Sequence, residues 1–246
     1  MEMGTPMRII AGPCQHESLE QSQQIAEECQ WVCDRYNIDY YFKASFDKAN
    51  RTSIHSKRGV GIERTMEDFA KISAKTLTDV HETTQIDIVK DVVDVIQIPA
   101  FLSRQTDLIV RACETDCIVN IKKGQFLSPL DIENVLDKTQ GEVWITERGT
   151  QFGYGTVVDF VGLEYMNKHY ANIVFDVTHA CNNRDAVPGL ARAGAGLGIN
   201  NFFLEVHADP DNAPSDGHAM IALKDFKDLV KQIYHCYSMS DGWRWL

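Results

Sequence analysis

Short apolar runs recur along this chain, separated by longer amphipathic stretches. Eight of the runs have strand character: MRIIAG (7–12), IDYYFKA (38–44), KTLTDV (75–80), VVDVIQI (92–98), CIVNIK (117–122), EVWITE (142–147), NIVFDV (172–177) and NNFFLEV (200–206). Most are near-continuous in Ile, Val and Phe rather than alternating, the pattern of parallel strands buried on both faces. The stretches between them have helical spacing, as in 19–36 after the first run, 129–138 after the fifth and 222–237 after the eighth. Eight βα units in 246 residues predict a (β/α)8 TIM barrel, an α/β fold, as a single domain over 1–246. A doubly wound open sheet is the alternative.

The ends of the runs add a second pattern. Cys14 follows the first strand, Lys43 and Lys48 the second, Asp79 and His81 the third, and Gln97 lies at the end of the fourth. Lys122 and Lys123 close the fifth, Glu147 and Arg148 the sixth, Asp176 and His179 the seventh, Glu205 and His207 the eighth. Polar residues also mark where any strand stops. In a barrel, however, the carboxyl ends converge on the face that carries active sites, and all eight ends are furnished with reactive side chains.

Charge makes one stretch stand out. FKASFDKANRTSIHSKR (42–58) holds five basic residues and one acid in a chain of net charge −11. So acidic a chain is not expected to bind nucleic acid or an anionic membrane broadly. No apolar run approaches the roughly 20 residues of a membrane span. The start, MEMGTPMRIIAGP, lacks the charge and apolar length of a secretory signal, so a cytoplasmic location is expected. The seven cysteines fit that compartment; Cys29/Cys33 and Cys113/Cys117, each four apart, are expected as reduced core residues on helices.

Lys43, Lys48, Arg51, Lys122 and Arg148 would line one barrel mouth, where cations repel unless anions fill the space. Phosphate is the natural candidate, with Asn50, Thr52 and Ser53 adding neutral hydrogen bonds. A solvated basic loop is the alternative, but Phe42 and Phe46 interleave with the charges. No Walker-type or G-x-G-x-x-G element opens a helix. Cys14, His179, Glu205 and Asp216 offer sulfur, nitrogen and oxygen donors suited to a divalent transition ion. Their spacing alone is not specific, and structural roles for the Cys and His stay open.

Seven segments, KASFDKANRTSIHS, TDVHE, DVIQIPAFLSRQTDL, NIKKGQF, ERGTQFGY, FDVTHA and FLEVHADPDNAPSDG, closely resemble in order those of the 3-deoxy-D-manno-octulosonate 8-phosphate synthase family. The resemblance runs from 11–14 to 215–217. The related 3-deoxyheptulosonate 7-phosphate synthases share barrel and chemistry, but KANRTSIHS matches the octulosonate branch. It implies a transferase that condenses phosphoenolpyruvate with arabinose 5-phosphate and water, releasing phosphate, for lipopolysaccharide precursor synthesis. By matching positions, Lys48, Lys122 and Arg148, with Lys43 and Gln97 nearby, resemble the phosphoenolpyruvate side. Asn50, Arg51 and Thr52 resemble the sugar-phosphate side, where the family usually has Ser in place of Thr52. Phe101 is a further candidate substrate contact, and Arg104 resembles an arginine that reaches a neighbouring subunit's site, implying a homotetramer. Lys43, Lys48, Asp79 and His179 are the catalytic candidates. In this family Cys at the position of Cys14 marks metal-dependent members and Asn metal-independent ones. The resemblance therefore implies a divalent ion, iron, zinc, manganese or cobalt, on Cys14, His179, Glu205 and Asp216.

The chain departs from the family after His179, where ACNNRDAVPGLARAG replaces a longer Gly-rich loop, and the start is short of an N-terminal strand pair. A different aldose phosphate, or a non-catalytic sugar-phosphate-binding barrel, are the alternative functions. Trp243 and Trp245 in the tail are expected to pack against the barrel or a subunit. Lys57 and Arg58 are left as solvated.

Overall fold

A computed structural model describes residues 6–241 and shows eight parallel strands closed into a barrel. In chain order these are β1 (Arg8–Gly12), β2 (Asp39–Lys43), β3 (Lys75–Asp79), β4 (Val95–Ile98), β5 (Ile118–Lys122), β6 (Val143–Glu147), β9 (Ile173–Asp176) and β10 (Asn201–His207). Each pairs with the next, and β1 pairs in parallel with β10, with Ile10 opposite Phe203. That last pairing closes the cylinder and excludes the open sheet. A hairpin, β7 (Thr150–Phe152) and β8 (Gly155–Val157), interrupts the sixth unit, and β11 (Ile221–Ala222) adds to β10.

The outer layer comprises α1 (Leu19–Asp34), α2 (Ile62–Phe69), α3 (Thr83–Val89), α4 (Thr106–Cys113), α5 (Ile132–Leu136), α6 (Phe160–His169), α7 (Val177–Cys181), α8 (Val187–Gly196) and α9 (Leu223–Asp241). α1 begins where the Ser18 side chain accepts from Gln21 N. Its buried stripe, Ile25, Ala26, Cys29, Val32 and Cys33, follows helical spacing and packs on the strands. All seven cysteines are free. Cys113 lies on α4, but Cys117 departs from expectation: it sits in the turn before β5, with its thiol directed at the Lys90 and Val93 carbonyls, both 3.3 Å away.

The eight expected strands are present, with one boundary moved substantially. Val92 and Val93 belong to the turn ending α3, their amides donating to Val89 O, while the Asp94 carboxylate takes Thr76 N at 2.7 Å. The apolar run 92–98 is thus shared between a helix end and a strand. Trp243 and Trp245 lie outside the described residues.

Inside the barrel, one inward side chain from each strand joins a single apolar cluster: Ile10, Tyr41, Leu77, Val95, Trp144, Val174 and Phe203, with Ile118 packed against it. Tyr41 meets Trp144 edge-on, centroids 5.0 Å apart, and Arg8 stacks over Trp144 at 3.8 Å towards the amino-terminal end. Above Phe203 the same inward faces turn polar, and the mouth begins.

Candidate active site

The basic stretch forms the end of β2 and the long connection to α2. Its aromatic residues tether it: Phe42 packs edge-on against Phe69, and Phe46 against His81. Lys48 N donates to Arg58 O at 2.7 Å, folding the loop back on itself across the mouth. Gly12 allows β1 to approach closely, since a Cβ there would overlap the Lys43 carbonyl. That approach brings the segment carrying Cys14 against the basic loop.

Three lysines reach into the mouth, each held by oxygen partners. Lys43 Nζ donates to Ser45 Oγ at 2.8 Å and lies 3.4 Å from Asp79 Oδ1. Ser45 in turn donates to Asp79, whose other oxygen meets His81 Nε2 at 3.2 Å. Lys48 Nζ donates to Cys14 O at 2.6 Å and Ser45 Oγ at 2.9 Å. Burial opposes its charge, but the fields of Cys14, Asp79 and Glu205 prevail and hold it above the ordinary lysine value. Lys122 Nζ is 2.7 Å from Asp176 Oδ2 and 4.2 Å from the Phe203 ring centroid. Burial lowers its pKa despite Asp176, with Lys43 adding to the effect. Gln97 at the end of β4 donates to Asn120 Oδ1 at 2.6 Å, and Asn120 donates to Thr146 Oγ1 at 2.7 Å, which fixes the amide at the cavity wall.

A cavity of about 410 Å³ opens over these groups. Lys43, Lys48, Asn50, Arg51, Thr52, Asp79, Gln97, Phe101, Lys122, Arg148 and His179 all line it, with Cys14 and Asp216 at one side. Six lysines and arginines face this cavity, Lys57 with the five expected ones, and together form a receptor for a multiply charged anion.

Beside it stands the mixed-donor cluster. One donor atom from each of Cys14, His179, Glu205 and Asp216 lies within 4.8 Å of the others. Asp176 organises the histidine: it caps α7 by accepting His179 N at 3.0 Å and faces His179 Nδ1 at 2.8 Å. The ring thereby turns Nε2 towards Glu205 Oε1, 3.5 Å away. Both Glu205 carboxylate oxygens are buried without a hydrogen bond among the described residues. A buried carboxylate left in this way beside an imidazole, a thiol and a second carboxylate fits a bound divalent cation. Burial and then Glu205 push the Cys14 thiol up to about 12. Cys14 Sγ donates to Asp216 Oδ2 at 3.1 Å. A metal ion would favour the thiolate instead.

The structure thus brings every expected site residue to one mouth except Arg104. Arg104 is exposed in a separate cleft with Asp131, Asn134 and Lys138. Lys57, expected to be solvated, is exposed yet lines the cavity, and Arg58 is tied to Asp47 by two hydrogen bonds. Ser45, the shared partner of Lys43, Lys48 and Asp79, was not foreseen. A serine in a loop has no distinctive spacing, and only the crossing of strands gives it three partners.

Taken as a class, this is a barrel enzyme whose active-site mouth is lined with cations. The chain belongs to the DAHP synthetase I family, whose model matches residues 2–238. Its relatives include proteins named 2-dehydro-3-deoxyphosphooctonate aldolase. That of Caulobacter vibrioides (strain NA1000 / CB15N) is 44% identical, covering 94% of this chain and 87% of the relative. That of Agrobacterium fabrum is 45% identical over 92% and 87% of the two chains. That of Wolinella succinogenes is 46% identical over 92% and 98%.

Proposed function

We propose that this chain condenses phosphoenolpyruvate with arabinose 5-phosphate and water to form 3-deoxy-D-manno-octulosonate 8-phosphate and inorganic phosphate. This is the reaction of the enzyme for which the relatives are named. The observation that carries it is the convergence of Lys43, Lys48, Arg51, Lys122 and Arg148 on one cavity beside the Cys14–His179–Glu205–Asp216 cluster. Phosphoenolpyruvate brings a carboxylate and a phosphate to the deep lysines and Arg148. Asn50, Arg51 and Thr52 take the phosphate of the sugar nearer the rim.

C3 of phosphoenolpyruvate attacks the sugar aldehyde, water adds at C2, and the tetrahedral intermediate expels phosphate by C–O cleavage. Lys43, Lys48, Lys122 and Arg148 offset the negative charge and hold the reactants in register. Asp79 keeps Lys43 and Ser45 in place, and Asp176 orients His179. A divalent ion held by Cys14, His179, Glu205 and Asp216 would act as a Lewis acid towards an aldehyde or water oxygen. We also place the enzyme in the cytoplasm, as a homotetramer in which Arg104 serves a neighbouring site. No helix among the described residues is long and apolar enough to cross a membrane.

Phosphate release from phosphoenolpyruvate tests the reading. It should require arabinose 5-phosphate, stop with a chelator and return with added divalent metal; full turnover in excess chelator would overturn the metal's part. The second reading, a different aldose phosphate, draws on the five-residue connection between α7 and α8. A higher kcat/KM for ribose 5-phosphate or erythrose 4-phosphate than for arabinose 5-phosphate would decide in its favour.

A further inference from the structure

Of the four clustered donors, Asp216 is the exposed one, on the loop from β10 to β11, and its backbone adopts a left-handed φ of 50°. Aspartate tolerates that conformation better than most residues, so the backbone alone does not fix where the carboxylate points. What surrounds it is a set of ties to the segment just after α7. Arg184 Nη2 donates to Gly217 O at 2.6 Å and to Asp211 Oδ1 at 2.8 Å. The Arg184 backbone N–H donates to His218 O at 3.1 Å, and the His218 ring Nε2 meets Asn182 Oδ1 at 2.9 Å. These bonds bracket Asp216 from residue 211 to residue 218. Gly217 is required where it stands, because a Cβ there would overlap the Pro210 carbonyl.

We propose that Arg184 is a positioning residue that clamps the Asp216 loop to the segment carrying His179, and so sets the protein's affinity for a divalent metal. Arg184 touches neither Cys14, His179, Glu205 nor Asp216 in any described hydrogen bond or ion pair. It acts by holding the backbone on the far side of Asp216. His179 and Asp216 arrive from different strands, and the 182–184 segment couples them within five residues of His179. A short connection after α7 therefore has a structural use: it is fastened to the neighbouring loop and fixes one donor relative to another. Outer partners that hold ligating groups in place typically change metal affinity by about 10- to 100-fold.

The inference rests on the metal reading above, and Co2+ titration of the metal-free full-length protein separates the two. The readout is the thiolate-to-cobalt absorption band that Cys14 ligation produces. Absence of the band in the unaltered protein would overturn the metal site itself. With the band present, Arg184→Ala is expected to weaken Co2+ binding about tenfold or more. In an Asp216→Ala background the same substitution should have no further effect. Equal affinity of Arg184→Ala and the unaltered protein would overturn the role of Arg184. An undiminished effect without Asp216 would overturn it too, since Arg184 would then act elsewhere. Should Arg184→Ala fail to fold, Arg184→Lys, which keeps the charge but offers one nitrogen to separated acceptors, carries the same two comparisons.

Discussion

Lys43, Lys48 and Lys122 crowd three amines into one mouth, and Asp79 and Asp176 are the buried carboxylates that make this tolerable. Burial works against charge on Asp79, but Lys43, His81 and Lys48 outweigh it and hold the carboxyl well below its ordinary 3.8. A carboxylate depressed in the folded state contributes stability that is complete above the ordinary aspartate value and is lost as pH falls towards the folded one. The unaltered protein should therefore lose stability more steeply below about pH 4 than Asp79→Asn does. Urea unfolding across an acidic pH series checks this, and parallel acid limbs would count against it. At this scale the sequence was legible where a charge stands at a strand end: Lys43, Lys122, Asp176 and Glu205 all fall there. It was not legible for Ser45 or Lys57, which lie in an aperiodic loop whose course is set by Phe46 burial and the Lys48–Arg58 backbone bond.

Between the ends of β5 and β6 a buried pair joins elements rather than substrates. Lys123 Nζ lies 3.3 Å from Glu147 Oε2, both side chains almost fully buried, and also donates to Gly124 O and Leu127 O. Glu147 accepts Gly149 N at 2.5 Å, which directs the chain into the β7–β8 hairpin immediately after Arg148. Burial lifts the Glu147 pKa, with Lys123 working against it. Lys123→Met should strand this acid and cost about 3–5 kcal/mol of unfolding free energy. Chemical denaturation measures it, and a loss under 1 kcal/mol would refute the account. The barrel strands could be read from their apolar runs because both of their faces are buried. The hairpin could not, since Phe152, Tyr154 and Val157 are exposed and Gly153 and Gly155 break any periodicity. The seventh helix was equally hidden, because α7 is only five residues long and depends on the Asp176 cap.

For the molecule as a whole, Arg104 decides whether one chain contains a complete site. If it serves a neighbour, Arg104→Ala and Lys122→Met should each be nearly inactive, yet regain part of their turnover when unfolded and refolded together. A Lys122→Met subunit can then lend its arginine to an Arg104→Ala subunit whose lysines are intact. No regain from mixed oligomers, verified by light scattering, would show that Arg104 does not serve a neighbour's site. The closed barrel was foreseeable from eight βα repeats, whereas contacts between copies have no period to reveal them. One further property follows from the interior layer that runs from Ile10 to Phe203. It fills the barrel beneath the cavity, so compounds reach the site from the mouth rather than through the barrel. On the proposed reading, the compound resting on Lys43 and Lys122 near Phe203 would have to arrive before the sugar phosphate at Asn50–Thr52. Excess arabinose 5-phosphate should accordingly obstruct its own reaction, and added phosphoenolpyruvate should clear the blockage; initial rates over a grid of both concentrations would reveal it.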